Sequence, residues 1–252
     1  MSILLQDLVR WCDQTLAAAS FKDYCPNGLQ VEGKPVVERL ITGVTASQAL
    51  IDAAIERQAD AILVHHGYFW KGEAQPLTGI KGKRIKRLMQ HDISLIAYHL
   101  PLDAHPVFGN NRMLADLLGF TITGGLDPSE TRPVGHIGHC AALTVPEMLS
   151  LLENKLGRPA QHLAGGGNII QKVGWCTGGA PDFIHQAAAQ GCDAYLSGEV
   201  SERTFHDAAE LGIHYFACGH HATERYGVQR LAQAIADQFA IETVYFELNN
   251  PI

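Results

Sequence analysis

Histidine and carboxylate side chains recur at the ends of four predicted strands in this chain of 252 residues. They stand in the segments VHHGYFW, HLPLDAH, LSGE and GHHATER, and comprise His65, His66, His99, Asp103, Glu199, His220, His221 and Glu224. In open α/β sheets ligands bind outside the carboxyl ends of the strands, so we expect these side chains to share one cleft. Imidazole and carboxylate groups are ligands that divalent transition metals take in proteins. The sequence therefore predicts a metal site.

Each of these residues also has a plainer interpretation when it is taken alone. His65 and His66 could be ordinary loop histidines, since neighbouring residues of a continuing strand point to opposite faces. At a strand end, where the backbone turns, both rings can face one cleft. Asp103 could be a cap or turn residue. Glu224 could merely complement a helix dipole, but its spacing of four from His220 places both on one side of the first helical turn.

Taken together, the candidate ligands are too many for one catalytic zinc ion, which usually takes three protein ligands and a water. The candidate ligands are His65, His66, Asp103, His220 and Glu224. Such a set suits two divalent ions, roughly 3.5–4 Å apart, that share a carboxylate and a bridging water. Mixed nitrogen and oxygen ligation admits Zn, Mn, Fe, Co or Ni, and the sequence leaves the choice among them open.

Apolar runs alternate with helical patterns along most of the chain, which is typical of an α/β fold with a largely parallel sheet. The predicted strands are Leu40–Gly43, Ala61–Val64, Ile93–Tyr98, Val173–Cys176, Ala194–Leu196, Ile213–Cys218 and Thr243–Phe246. The predicted helices are Ser47–Arg57, Gly82–Gln90, Asn111–Leu118, Pro181–Gln190, Ser201–Leu211 and Thr223–Phe239. Thr144 and Glu147 predict a capping box for a further helix that ends at Gly157.

The two halves of the chain resemble each other. Residues 43–66 and 174–199 both carry a strand end, a helix, the dipeptide Asp-Ala, a second strand and then polar residues, and the later copy has two extra residues near TGG. This repeat predicts an internal duplication of an α/β domain; chance similarity of two ordinary βα units is the alternative. The polar, Gly- and Pro-rich segment 124–135 predicts a boundary. We therefore predict domains at 1–125 and 126–252, with the C-terminal segment able to pack back on the first.

Composition excludes several classes of protein. The formal net charge of −7 gives no direct evidence for a nucleic-acid-binding surface. The basic cluster KGKRIKR is expected to be a solvated helix face, with steering of an anion or phosphate as the alternative. The N-terminal amphipathic pattern is interrupted by charges, so it predicts neither a signal peptide nor a membrane span. Six scattered cysteines without a Cys-x-x-Cys pair indicate reduced thiols in the cytoplasm.

The motifs GVTAS, VHHGYFW, HLPLDAHPVFGNN, GWCTGG, LSGEVSE and GHHATERYG closely resemble the GTP cyclohydrolase I type 2 homologue family, also called the Nif-three-like family, and its bacterial members above all. The likeness covers nearly the whole chain. It implies that the metal ligands are His65, His66, Asp103, His220 and Glu224. It also implies two similar α/β domains with a dinuclear metal site in the cleft between them, and assembly into a toroidal homohexamer.

Two functions from different classes follow from this pattern. A pair of metal ions would suit a hydrolase, and the family name implies a nucleotide substrate, with ring opening of GTP as the named reaction; a phosphoesterase would share the same site. In that case His99 and Glu199 are the candidates for proton transfer or for support of the ligands. Alternatively, the protein is a metal-binding scaffold or partner-binding module without turnover. Five ligands on two metals leave coordination positions open, which favours the enzyme.

Overall fold

The computed structural model describes all 252 residues and shows a mixed α/β protein. Two compact units make up the chain. Unit 1 comprises residues 1–102 and 227–249, and unit 2 comprises residues 103–226 and 250–252. None of the helices combines the length and the apolar character that a membrane span requires.

Thirteen strands and nine α-helices form the two units. The strands are β1 (Ile3–Leu4), β2 (Gly28–Val31), β3 (Val36–Val37), β4 (Arg39–Thr45), β5 (Ala61–His66), β6 (Ser94–Ala97), β7 (Thr121–Gly125), β8 (His136–Leu143), β9 (Gln161–Leu163), β10 (Ile170–Cys176), β11 (Ala194–Ser197), β12 (His214–Ala217) and β13 (Glu242–Tyr245). The helices are α1 (Leu5–Leu16), α2 (Gln48–Glu56), α3 (Gly79–Gln90), α4 (Leu100–Asp103), α5 (Asn110–Leu118), α6 (Val145–Leu156), α7 (Ile184–Ala189), α8 (Glu202–Leu211) and α9 (His220–Phe239).

Unit 1 is built on a five-stranded sheet with the order β13-β4-β5-β6-β2. The first four strands are parallel and β2 pairs antiparallel with β6. Ile41, Ile62 and Leu95 are fully buried, as expected for parallel strands covered on both faces. Because β4, β5 and β6 run in the same direction, the segments that follow them leave the sheet at one edge, and His65 and His66 lie there.

Unit 2 is built on a six-stranded sheet with the order β7-β8-β10-β11-β12-β9. Only its centre is parallel: β10, β11 and β12 run together, and β7, β8 and β9 add antiparallel pairs on either side. Trp175, Leu196 and Phe216 form part of its buried core. The segments that follow the three parallel strands carry TGG, GEV and GHH, so they too emerge at one edge.

The predicted long elements are present, with ends shifted by a few residues. Helix α6 has the predicted capping box of Thr144 and Glu147, and Gly157 follows it in the left-handed conformation. The sequence missed the short strands β1, β2 and β3 and the antiparallel strands β7, β8 and β9, because their apolar patterns are brief or interrupted.

The boundaries of the two compact units differ from those of the predicted ranges 1–125 and 126–252. Residues 103–125 lie in unit 2, since β7 pairs with β8 of that sheet. Residues 227–249 lie in unit 1, since β13 pairs in parallel with β4. The pairing of these two edge strands, which the polar linker does not reveal, sets the division.

Candidate metal centre

Histidines 65 and 66 stand at the carboxyl end of β5 in unit 1. His65 is fully buried, and its Nδ1 lies 2.9 Å from the carbonyl oxygen of Tyr98. Since a carbonyl can only accept, the imidazole proton of His65 lies on Nδ1, and Nε2 presents a lone pair. Nδ1 of His66 lies 3.2 Å from the Thr45 hydroxyl. A hydrogen bond from one ring nitrogen that leaves the other for an ion is the usual arrangement of a metal-binding histidine.

Three imidazole rings meet at this edge of unit 1. Strand β5 continues through His66, yet the ring centroids of His65 and His66 are only 4.6 Å apart. Ligand nitrogens of His65, His66 and His99 all lie within 4.8 Å of one another. The strand's alternation therefore does not separate the rings, and the three histidines form a group that could hold a metal ion.

His99 is held by a carboxylate that the sequence did not single out. Its Nδ1 donates to Oδ1 of Asp23 over 2.7 Å, and the indole of Trp70 packs edge-on against the ring at 4.9 Å. Asp23 also accepts hydrogen bonds from the backbone N–H groups of Tyr24 and Leu100 and from the side chain of Asn27. Its burial would raise the carboxyl pKa, but the hydrogen bonds and charge of His99 and the other donors outweigh that effect and lower the pKa to about 2.

We expect Asp23→Asn to cost about 2 kcal/mol of folding stability at pH 7, from the shift of the carboxyl pKa from 3.8 to about 2 at a side chain that is 3% exposed. Because the pKa of Asp23 is lower in the folded state, its ionised carboxylate stabilises the fold above pH 3.8, and this stabilisation is lost as the pH falls through about 2. Urea unfolding in chelator at a series of pH values measures it. A difference between wild type and variant that does not shrink toward pH 2 would contradict this account.

Asp103 ends the short helix α4 and lies buried in unit 2. Its Oδ1 accepts a hydrogen bond from the Asn110 side chain at 2.9 Å and from the Thr177 hydroxyl at 3.3 Å. Asn111 in turn accepts from the Thr177 N–H and donates to the Thr177 hydroxyl. These buried contacts fix one carboxylate oxygen of Asp103 and orient the other.

His220 and Glu224 lie on the first turn of α9, on one side of the helix as their spacing predicts. Nε2 of His220 is 3.0 Å from Oε2 of Glu224, and Nδ1 of His220 is 2.7 Å from Oε1 of Glu199. Burial alone would lower the pKa of His220, but hydrogen bonds and charge from Glu224 and Glu199 outweigh it and raise that pKa to about 9. In the absence of a metal, His220 is therefore a cation between two carboxylates.

The backbone of Gly178 passes against the Glu224 side chain. A Cβ at this position would lie 2.0 Å from Glu224 Oε1 and 3.0 Å from His220 Nε2. Gly178 also has a φ of +68°, which disfavours other residues, and its N–H donates to the Thr223 hydroxyl. Glycine is thus required twice here, by backbone conformation and by the space that the carboxylate occupies.

The donor set of unit 2 fits a divalent cation. Glu224 is 3% exposed and Asp103 is 6% exposed, and a carboxylate oxygen of one lies within 4.8 Å of a carboxylate oxygen of the other. Two buried carboxylates at this separation repel unless positive charge balances both, and His220 beside Glu224 supplies only one such charge. A divalent ion would supply that charge, and oxygen and imidazole donors are ligands that suit it.

Fold and donor set together define an α/β protein whose His, Asp and Glu side chains could bind metal. The sequence model of Duf34/NIF3 (NGG1p interacting factor 3) matches residues 3–251, and the chain belongs to that family. A Pseudomonas aeruginosa relative named GTP cyclohydrolase 1 type 2 homolog is 52% identical over 252 residues, covering 100% of both chains. A relative of the same name from Escherichia coli (strain K12) is 46% identical over 97% of this chain and 98% of its own.

Solved structures agree with the family assignment. A structure described as protein ybgI, of unknown function, has a TM-score of 0.95 and 44% identity, covering 99% of this chain and 100% of the other. A crystal structure of a Thermus thermophilus protein has a TM-score of 0.90 and 30% identity, with the same coverage. The resemblance to the bacterial GTP cyclohydrolase I type 2 homologues is therefore confirmed.

Sequence reasoning missed the residues that orient the candidate ligands. These are Asp23, Asn110, Asn111, Thr177 and Gly178. The two extra residues near TGG in the second repeat were a signal for Thr177 and Gly178, since an insertion at a strand end changes what that edge presents. The polar turn DYCPNG carried no comparable signal for Asp23, because Asp and Asn are common in turns for local reasons.

Proposed function

We propose that this protein binds two divalent metal ions through His65, His66, Asp103, His220 and Glu224, and that it is a metal-dependent hydrolase acting on a nucleotide or a related heterocycle. In this proposal the histidines of unit 1 and the carboxylates of unit 2 contribute to one site in a cleft. The metal is one of Zn, Mn, Fe, Co or Ni.

One observation carries the proposal: the buried carboxylates of Asp103 and Glu224 lie together in unit 2, and a histidine lies beside Glu224. The histidine pair of unit 1 supports it, because Nδ1 of His65 donates to the Tyr98 carbonyl and thereby fixes the orientation of the ring, as a partner group does for a metal-binding histidine. Structural zinc sites use all four ligand positions, whereas five ligands on two ions leave room for substrate.

The chain's own residues would share the chemistry with the ions. Two bound ions would lower the pKa of water and polarise the bond under attack. Glu199 contacts Nδ1 of His220, and this contact keeps Nε2 on the opposite side of the ring directed at Glu224. His99 is oriented by Asp23 through Nδ1, so Nε2 is the atom that would accept or return a proton.

We expect His99→Ala to retain the two ions bound by His65, His66, Asp103, His220 and Glu224 but to lower turnover roughly hundredfold, the effect of losing a general acid or base. Glu199→Gln should also retain metal, with a smaller loss, since the amide can still accept from His220. Metal content and turnover measured on the same preparations test both expectations. Unchanged turnover in both variants with metals retained would remove these two residues from the mechanism.

The substrate class is tested by a screen of nucleotides and phosphoesters with the metal that the purified protein contains. The name shared by the relatives suggests GTP, whose ring opening would change the purine absorbance without releasing phosphate. Phosphate release with an intact purine would indicate the phosphoesterase instead. Each product identifies the bond that is cleaved.

The alternative function is a metal-binding scaffold or partner-binding module. The family description names an interacting factor, which is a binding role rather than a reaction. A protein that holds two ions per chain, yet turns over nothing in the screen, would favour this alternative.

The internal duplication and the assembly are part of the same proposal. Each unit contains three consecutive parallel strands joined by helices, β4-β5-β6 in unit 1 and β10-β11-β12 in unit 2, which supports a duplicated α/β domain. All six cysteines are free thiols, in keeping with the expected cytoplasmic location. The toroidal homohexamer implied by the resemblance stays a prediction that light scattering of the untagged protein would test.

A further inference from the structure

A second type of donor set lies in unit 1, on the side of His99 that faces the loop before β2. A carboxylate oxygen of Asp23, Sγ of Cys25 and a ring nitrogen of His99 all lie within 4.8 Å of one another. It differs from the ligands of the proposed function in containing sulfur.

These three side chains are sheltered, and a cavity leads to two of them. Asp23 is 3% exposed as a side chain, Cys25 is 8% exposed, and the side chain of His99 is 15% exposed. A cavity of about 730 Å³ is lined by Asp23, Cys25 and Asn27 together with the end of α1 and the turn that follows it. An ion could therefore enter from solvent and then be held by largely buried ligands, as a metal site requires.

We propose that Asp23, Cys25 and His99 form an additional site for one divalent transition ion, with a solvent molecule from the cavity as the fourth ligand. Carboxylate, thiolate and imidazole are donors that zinc and cobalt accept in tetrahedral geometry. The thiolate excludes magnesium and calcium, which prefer oxygen. One carboxylate and one thiolate balance the charge of a divalent cation.

Binding requires small movements and one proton release. Nδ1 of His99 and Oδ1 of Asp23 are 2.7 Å apart, whereas two ligands of a tetrahedral zinc ion are roughly 3.3 Å apart, so the pair must open by roughly 0.6 Å. The Cys25 thiol loses its proton to solvent. In the metal-bound state Nδ1 of His99 is the ligand and the ring proton is on Nε2.

The metal-free state of Cys25 is consistent with this exchange. Burial and the neighbouring charge of Asp23 raise the pKa of its thiol to about 12, so the thiol is protonated at neutral pH. A metal cation bound to Cys25 in place of the thiol proton would lower that pKa, because its positive charge offsets both the burial of the thiolate and the negative charge of Asp23.

Cobalt spectroscopy tests the additional site without any assay of activity. Cobalt(II) is titrated into chelator-treated protein, and the sulfur-to-cobalt charge-transfer absorption in the near ultraviolet is recorded. We expect the band in wild type and in Glu224→Ala, since the ligands of the proposed function contain no sulfur. We expect it to be lost in Cys25→Ser and retained in Cys192→Ser, which alters a cysteine of similar burial at 7% exposure.

Absence of the band in wild type, or its persistence in Cys25→Ser, would overturn the proposal. X-ray absorption of wild-type protein loaded with zinc provides a second measurement that needs no variant, and it should show a sulfur neighbour at roughly 2.3 Å. A zinc shell of nitrogen and oxygen alone would also overturn the proposal. The metal content of Glu224→Ala tests the two-metal site of the proposed function, whereas the sulfur-to-cobalt band tests only the additional site. The two proposals can therefore fail independently.

Discussion

In untagged protein that also carries Cys25→Ser, and therefore lacks the additional site, Glu224→Ala is expected to reduce the metal content from about two transition ions per chain to one or fewer. Glu224 is 3% exposed and lies beside both Asp103 and His220, so its carboxylate is the group best placed to be shared between two ions. Elemental analysis of protein purified without added metal or chelator measures this directly. The variant should remain folded, since it removes the repulsion between Glu224 and Asp103 while His220 keeps its contact with Glu199.

Two companion variants make the result specific. Glu224→Gln keeps the volume of the side chain and removes its charge, so it should lose metal as Glu224→Ala does. Glu210→Ala alters an exposed glutamate of the same unit and should retain the wild-type content. Wild-type protein that holds one ion or fewer and stays folded would contradict the two-metal site and favour the binding-module alternative.

Gly178→Ala is expected to weaken metal binding at least tenfold, the lower end of the effect seen when a residue that orients a ligand is lost. The added methyl group would lie 2.0 Å from Glu224 Oε1, closer than any non-bonded contact, so Glu224 must turn away. Isothermal titration of chelator-treated protein with zinc measures the affinity.

Gly191→Ala is a close control for this variant. Gly191 lies in the same unit with φ of +69°, against +68° at Gly178, but a Cβ at Gly191 would meet no atom within 4 Å. Left-handed backbone strain should cost each variant roughly 1–2 kcal/mol of folding stability, and the clash with Glu224 adds to that cost only in Gly178→Ala. Only Gly178→Ala should lose metal affinity. Equal affinity in the two variants would mean that the Gly178 contact does not position Glu224.

Local sequence patterns determined which elements form and which residue types stand at their ends. The apolar run Ala61–Val64 predicted β5, because a buried parallel strand reads as a short continuous apolar segment. The capping box of Thr144 and Glu147 predicted the start of α6, because both of its hydrogen bonds lie within four residues. For the same reason, the spacing of His220 and Glu224 was enough to place them on one side of α9.

Tertiary structure alone decided which groups hold those residues in place. Asp23 lies 76 residues from His99, and Thr177 lies 74 residues from Asp103, so no short-range pattern links either pair. The carbonyl of Tyr98 that sets the tautomer of His65 belongs to the backbone, and any residue would supply it. Side-chain types and local spacing can be taken directly from the sequence. Hydrogen bonds between distant segments depend on strand order and register, which are set only when the sheets assemble.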